Sequence, residues 1–385
     1  MGLEELRYLY SSGVRALLYL YNTTAKQKIH FSICNLKNRF IILSLLPLLF
    51  LTGCPLFRYE SKSIDPFLVN LEQINTEYND YNAYAPTAIF DEFGIVYSTD
   101  FPSSGANLDL WTAEIHLKQT GAEVDVEGSR TGAFSSLFNR DVSERGPILT
   151  GPYCFDYYQE EGSTAFYPDY FEPETAGDGD IFFLFSRDKS GEGRGFDILF
   201  SRFLPDRGTW SEAESAGFNS LHNDYYPCCD GEYIYFSSDR SGNDDIYRIR
   251  YAEDGEYRYI DEAALLEAGG SVPVEELNSA AEDSCPYVYT EWATGEKVMV
   301  FSSDREGGTG GYDIYVSRWD DGAGAWQKPV RLGGLVNSLH NEYRPTIYSA
   351  FTMEPFKYIL LFSSDRPGGN GGYDLYVAGS ESISF

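Results

Sequence analysis

The chain has 385 residues, with 59 acidic against 29 basic side chains and a net charge of −30. A surface of that sign repels phosphates, which excludes a charge-driven binder of nucleic acid or anionic membrane. With 31 Tyr, 26 Phe and 37 Gly and hardly a helix-forming run, the composition points to sheets packed face to face.

From its start, the chain reads as a leader over residues 1–53. Phe40 to Leu51 is a twelve-residue apolar core behind Lys37 and Arg39. It is too short to span a bilayer and has the length of a signal core. Leu51-Thr-Gly-Cys54 resembles the bacterial lipobox, which makes Cys54 the expected lipidation site. The resemblance implies export and acyl anchoring to the cell envelope, on the periplasmic or surface face of the outer membrane. A start at Leu36 from a non-AUG codon would make this long leader compact, with residues 1–35 untranslated. Residues 54–65 then form a lipidated linker. Taking the leader's six basic and two acidic residues from 29 and 59 leaves 23 and 57, a net charge of −34.

From residue 66 the chain repeats itself. Tyr97-Ser-Thr-Asp100 with Leu108-Asp-Leu-Trp111 and Phe185-Ser-Arg-Asp188 with Phe196-Asp-Ile-Leu199 are degenerate copies. Phe236-Ser-Ser-Asp-Arg240 with Asp244-Asp-Ile-Tyr247 is a shorter one. Phe301-Ser-Ser-Asp-Arg305 with Gly310-Gly-Tyr-Asp-Ile-Tyr315 and Phe362-Ser-Ser-Asp-Arg366 with Gly371-Gly-Tyr-Asp-Leu-Tyr376 are nearly identical. Each reads as a β-hairpin, because a β-branched and aromatic run enters and an alternating strand leaves. Glycines supply the positive φ of the loop. A phosphate-cradling loop would need a strand passing into a helix, so that reading fails.

A second marker precedes the later hairpins. Asn219-Ser-Leu-His-Asn-Asp-Tyr-Tyr-Pro227, Asn278-Ser-Ala-Ala-Glu-Asp-Ser-Cys-Pro286 and Asn337-Ser-Leu-His-Asn-Glu-Tyr-Arg-Pro345 share Asn-Ser, an acid and a proline at fixed offsets. Marker, hairpin and a returning outer strand make four strands per unit. Residues 66–385 thus resemble the WD40-like β-propeller repeat of the TolB type, which implies one all-β propeller and periplasmic protein binding.

The first aspartates step by 88, 51, 65 and 61 residues. The long step narrows to the others if 157–180 is a loop insertion, which gives five blades, with six as the alternative. The last unit lacks an outer strand, and Phe67-Leu-Val-Asn-Leu71 is expected to supply it and close the ring. Asp261 to Ala268 is the one short helix expected.

Three residue sets could carry chemistry. Asp100, Asp109, Asp188, Asp197, Asp239, Asp245, Asp304, Asp313, Asp365 and Asp374 recur in every unit. A catalytic acid is not needed five times over, so these are expected to brace turns. His222, Asp224, Asp283, His340 and Glu342 should gather at one mouth of the channel, where they could bind a cation or polar ligand. The plainer alternative is that the acids brace their own loops. Cys154, Cys228, Cys229 and Cys285 are expected on neighbouring inner strands, with Pro152 as the marker of the second unit. Two disulfides, Cys154 with Cys229 and Cys228 with Cys285, suit an exported chain.

No nucleophile elbow, zinc-protease motif or nucleotide fingerprint occurs. The reading at this stage is a monomeric, non-catalytic, lipid-anchored scaffold for an envelope protein or glycan. It has no cofactor, and a divalent cation on the axis is left open. The alternative is a glycan-acting hydrolase or lyase with carboxylates at the propeller mouth.

Overall fold

The computed structural model describes residues 3–10, 16–22, 27–32, 65–85, 92–120, 123–134, 143–150, 181–188, 195–251, 260–267, 270–291, 294–349 and 356–383. The leader core, Cys54, Cys154 and the 157–180 insertion lie outside them. The chain divides into two units, Met1–Lys62 and Ser63–Phe385. In the first, Leu3–Tyr10, Ala16–Asn22 and Gln27–Ser32 form a three-stranded antiparallel sheet.

The second unit is a five-bladed β-propeller, the expected count rather than the six-bladed alternative. Blade 1 runs Asp80–Tyr84, Glu92–Thr99, Asp109–Thr120 and Glu123–Ala133 from inner to outer strand. Blade 2 runs Glu144–Thr150, Phe182–Asp188 and Phe196–Leu204, with Thr209–Trp210 and Glu214–Ser215 outside. Blade 3 is Asp224–Cys229, Tyr233–Ser238, Asp245–Arg250 and Val272–Pro273. Blade 4 is Asp283–Thr290, Lys297–Ser303 and Asp313–Asp320, flanked by Ala325–Trp326 and Val330–Arg331. Blade 5 is Glu342–Ser349, Tyr358–Ser364 and Asp374–Ser380, completed by Phe67–Asn70. The expected closure therefore holds, with Tyr376 to Gly379 paired antiparallel to Asn70 to Phe67. The short helix is Glu262–Leu266, capped by Asp261, whose side chain accepts from Ala264 N–H at 2.8 Å.

The repeat motif explains itself in contacts. Phe236, Phe301 and Phe362 are fully buried and face Tyr247, Tyr315 and Tyr376 across their hairpins. The rings of each pair stack, at 6.1, 5.9 and 5.7 Å. Over each pair lies the motif arginine: Arg240, Arg305 or Arg366. Each arginine ion-pairs with the marker acid of its own blade, Asp224, Asp283 or Glu342. The second serine takes the arginine Nε–H, as at Ser303 and Ser364, 3.0 Å each.

The first serine joins blades. The N–H groups of Asn82, Tyr226, Cys285 and Arg344 donate to Ser363, Ser186, Ser237 and Ser302 of the preceding blade, at 2.8 to 3.3 Å. Those four donors have φ between 51° and 63°, a strained conformation for non-glycine residues. It marks a bulge in each inner strand. The same place in blade 2 is Gly146, with φ of 60°, so the proline of that unit is Pro147 and not Pro152. Glu144 is its acid, and Ser143 keeps no Asn-Ser signal upstream, which is why the sequence misplaced the marker.

Candidate active site at the axial mouth

Strand register puts the marker acids and both aspartates of each hairpin at one end of the blades. Asp224 pairs with Ser238 and Ser238 with Asp245, and the other blades repeat this. The marker acids are nonetheless unavailable to a ligand. Asp224, Asp283 and Glu342 are wholly buried, and each accepts from the N–H of its own Asn-Ser serine and from an arginine. Bracing, the plainer alternative, is the observed role. Asp80 and Glu144 are the equivalents in blades 1 and 2, where Glu144 pairs with Arg187 at 2.6 Å and Asp80 accepts from Thr76. With Phe101 in the arginine position, Asp80 has no guanidinium, and burial raises its pKa.

The repeated aspartates are scaffold as well. Asp100, Asp239, Asp304 and Asp365 accept from the backbone N–H of Asn79, Asn223, Glu282 and Asn341 at 2.7 to 2.9 Å. Asp245 takes Ser241, Asp313 takes Thr309 N–H, Asp374 takes Asn370 N–H, and Asp197 takes Ser215. Asp109 and Asp188 are buried at the same hairpin positions. His222 is exposed, with Nδ1 3.7 Å from Asp239, and His340 is half-buried on the equivalent loop. Cys228 and Cys285 are buried free thiols, so the Cys228–Cys285 bridge is not made, and burial pushes the Cys285 thiol up to about 12. Among the described residues no three His, Cys, Asp or Glu side chains converge as a metal site.

What does converge is the residue after each marker acid and the residue before each second aspartate. The first set is Tyr81, Arg145, Tyr225, Ser284 and Tyr343; the second is Leu108, Phe196, Asp244, Tyr312 and Tyr373. Carbonyls of the second set accept the N–H of the next blade's acid, as Asp283 to Asp244 at 2.7 Å, Glu342 to Tyr312 at 2.7 Å and Asp80 to Tyr373 at 2.8 Å. Ring contacts then run through the mouth without a break. Tyr81 meets Tyr373 at 5.6 Å, Tyr373 meets Tyr343 at 6.4 Å, and Tyr343 meets Tyr312 at 5.1 Å and Tyr226 at 5.9 Å. Tyr226 meets Tyr225 at 4.8 Å, Tyr225 meets Phe196 at 6.1 Å, and Arg145 lies 4.0 Å over Phe196.

Within this aromatic mouth stands one carboxyl in a perturbed state. Asp244 is 9% exposed and accepts a hydrogen bond from Tyr225 Oη. Its N–H donates to Glu282 Oε2 at 2.6 Å. Burial raises its pKa to about 6, and the charges of Glu282 and Asp239 push the same way. Sequence reasoning quoted Asp244 only as part of a repeat. Its signal was an acid where the other four units carry Leu or an aromatic ring.

No family model matches the chain, and no curated protein is similar to it. Solved structures are similar in fold. A GH43B protein of a Bacteroides ovatus xyloglucan locus is 12% identical over 81% of this chain and 54% of its own, with a TM-score of 0.44. A Lactobacillus brevis α-L-arabinofuranosidase is 11% identical over 81% and 94%, at 0.40. A B. megaterium levansucrase is 6% identical over 83% and 88%, at 0.45. The chain spans about half the length of the first of these. The non-catalytic scaffold expected from the sequence finds no counterpart among these three, whose names are those of glycan-acting enzymes. Likeness this distant concerns the fold, and further reading rests on the mouth's own residues.

Proposed function

We propose that the axial mouth binds a glycan and cleaves it, with the Asp244 carboxyl as proton donor. The observation that carries this is the state of Asp244: a carboxyl with a pKa of about 6, held by Tyr225 Oη and set among tyrosine rings. Glycosidic cleavage needs an acid that keeps its proton near neutral pH, and burial beside other carboxylates is how proteins make one. Half-buried Tyr81, Tyr312, Tyr343 and Tyr373 offer apolar faces and hydroxyl edges, which suit the mixed surface of a sugar. Glu282, bonded to the Asp244 backbone, is the second carboxylate of the mouth, as such chemistry commonly requires.

The finer likeness to the TolB-type repeat, and a place in the cell envelope through acylation at Cys54, rest on the sequence motifs and belong to this proposal. The test is release of reducing ends from a panel of plant and bacterial polysaccharides. Wild type should cleave at least one substrate, and Asp244→Asn should lose on the order of 10²-fold or more. Cleavage by neither protein, or equal cleavage by both, would refute the proposal.

A further inference from the structure

This inference rests on reading the mouth as a glycan site, and it names the class of sugar. We infer that the mouth takes a carboxylate-bearing sugar, a uronic acid residue, held by Arg145. Four arginines, Arg187, Arg240, Arg305 and Arg366, sit one per blade and each pairs with a buried acid. Two others at the axis pair with no carboxylate among the described residues. Arg145 follows the marker acid of blade 2 at the mouth, half-buried against Phe196, and its buried Nε has no hydrogen-bond partner. Arg344 is wholly buried below it, 5.2 Å over the Tyr226 ring, with all three guanidinium nitrogens unpartnered.

This runs against the composition of the chain. With 59 acids to 29 bases, partners are plentiful, and the brace arginine of each of blades 2 to 5 has found one. A buried guanidinium without an anion is costly, because its hydration is lost and nothing replaces it. A ligand carboxylate arriving at the mouth would supply the missing charge. Arg145 is suited to receive it: stacking on Phe196 fixes the plane of the guanidinium, and a fixed fork matches a carboxylate bidentately. Arg344 lies too deep to touch a ligand, and acts through its charge. The tyrosines around Arg145 carry the sugar ring itself.

Saturation-transfer NMR on the whole protein tests this with D-glucuronate, D-galacturonate, their neutral methyl esters and acetate. At least one free acid should bind, with its ester about tenfold weaker or more, as the loss of a charged hydrogen-bond pair implies. Acetate at equal concentration should not displace the acid. Arg145→Gln should erase the preference for acid over ester, and Arg145→Lys should keep part of it, with melting curves showing both variants folded. Equal binding of acid and ester, binding of none, displacement by acetate, or an unchanged preference in Arg145→Gln would each overturn the inference. Because the readout is binding, acid-selective binding without any glycan cleavage would sink the proposed catalysis and leave this inference standing.

Discussion

Truncating Arg366 to alanine should separate the internal braces from ordinary surface charge pairs. Arg366 Nη2 donates to Glu342 Oε1 at 2.9 Å and to the Val336 carbonyl at 2.5 Å, and Nε donates to Ser364 at 3.0 Å. Its guanidinium also covers Phe362 and Tyr376. Glu342 is wholly buried, and the Arg366 side chain is 13% exposed. Removing one partner of a buried ion pair costs about 3–5 kcal/mol, because the other charge stays behind. Glu342 would keep Ser338 N–H, Ser338 Oγ and Ser364 Oγ as donors, which favours the lower end. Loss of the ring contacts adds ~1 kcal/mol. The expected loss is about 3–4 kcal/mol. Arg318, paired with Glu296 with both side chains about two-fifths exposed (42% and 41%), is the control, and screening should hold its alanine variant to about 1 kcal/mol or less. Urea unfolding of both decides the matter. If Arg366→Ala costs no more than Arg318→Ala, the brace is not what holds the blade end.

Gly310→Ala would place a Cβ 2.0 Å from the His340 carbonyl oxygen, so the seam between blades 4 and 5 should open by about 1–3 kcal/mol in the same assay. Gly379→Ala would place a Cβ 2.1 Å from the Phe67 ring. Limited proteolysis should then cut near residue 67 sooner than in wild type, and an unchanged cleavage rate would count against the closing strand as a latch. Asp244 has its folded pKa lifted from 3.8 to about 6, so the folded state holds a proton that the unfolded state has lost between those values. Stability should therefore fall as pH rises from about 4 to 6, by up to ~3 kcal/mol for this group, and melting of Asp244→Asn should lack that component. Cys228 and Cys285 are buried and free, so both should react with a thiol reagent in denaturant without reductant and stay silent in the native protein.

The scaffold was legible because repetition writes the same contact several times. Asp304 and Asp365 fall at equivalent letters, and each accepts the N–H of the residue before its neighbouring marker acid. Phe67 to Leu71 was legible as a strand because the last unit was one strand short. The second blade was less so. Its arginine is Arg187, two places before the usual position, and it reaches Glu144 from there, so the pairing survives a change that hides the motif. The glycines were read as loop residues with positive φ, which holds for Gly307 and Gly368. Gly310, Gly311, Gly371 and Gly372 answer a different need, since the next blade's loop passes within a Cβ's reach. Such a contact between units is invisible in either sequence segment alone. The mouth was misread for a related reason. Acids in a marker attract attention, yet burial takes them out of reach, and the residues that face the axis are their neighbours.

The division of labour between repeated and varying positions supports placing the site at the axis. Residues that hold a blade must do the same task five times, and they recur: the acid, the first serine, the hairpin aspartates. At the axis, each blade contributes one inner-strand and one hairpin position, and there the units diverge into Tyr81, Arg145, Tyr225, Ser284 and Tyr343, and into Leu108, Phe196, Asp244, Tyr312 and Tyr373. A ring serving only to plug the channel could repeat one apolar side chain, as stacked units commonly do. Instead, one blade brings a cation, another a carboxyl with a raised pKa, and the rest bring rings. Asymmetry of that kind is what a single ligand bound on a five-fold scaffold demands, because the ligand itself is not five-fold.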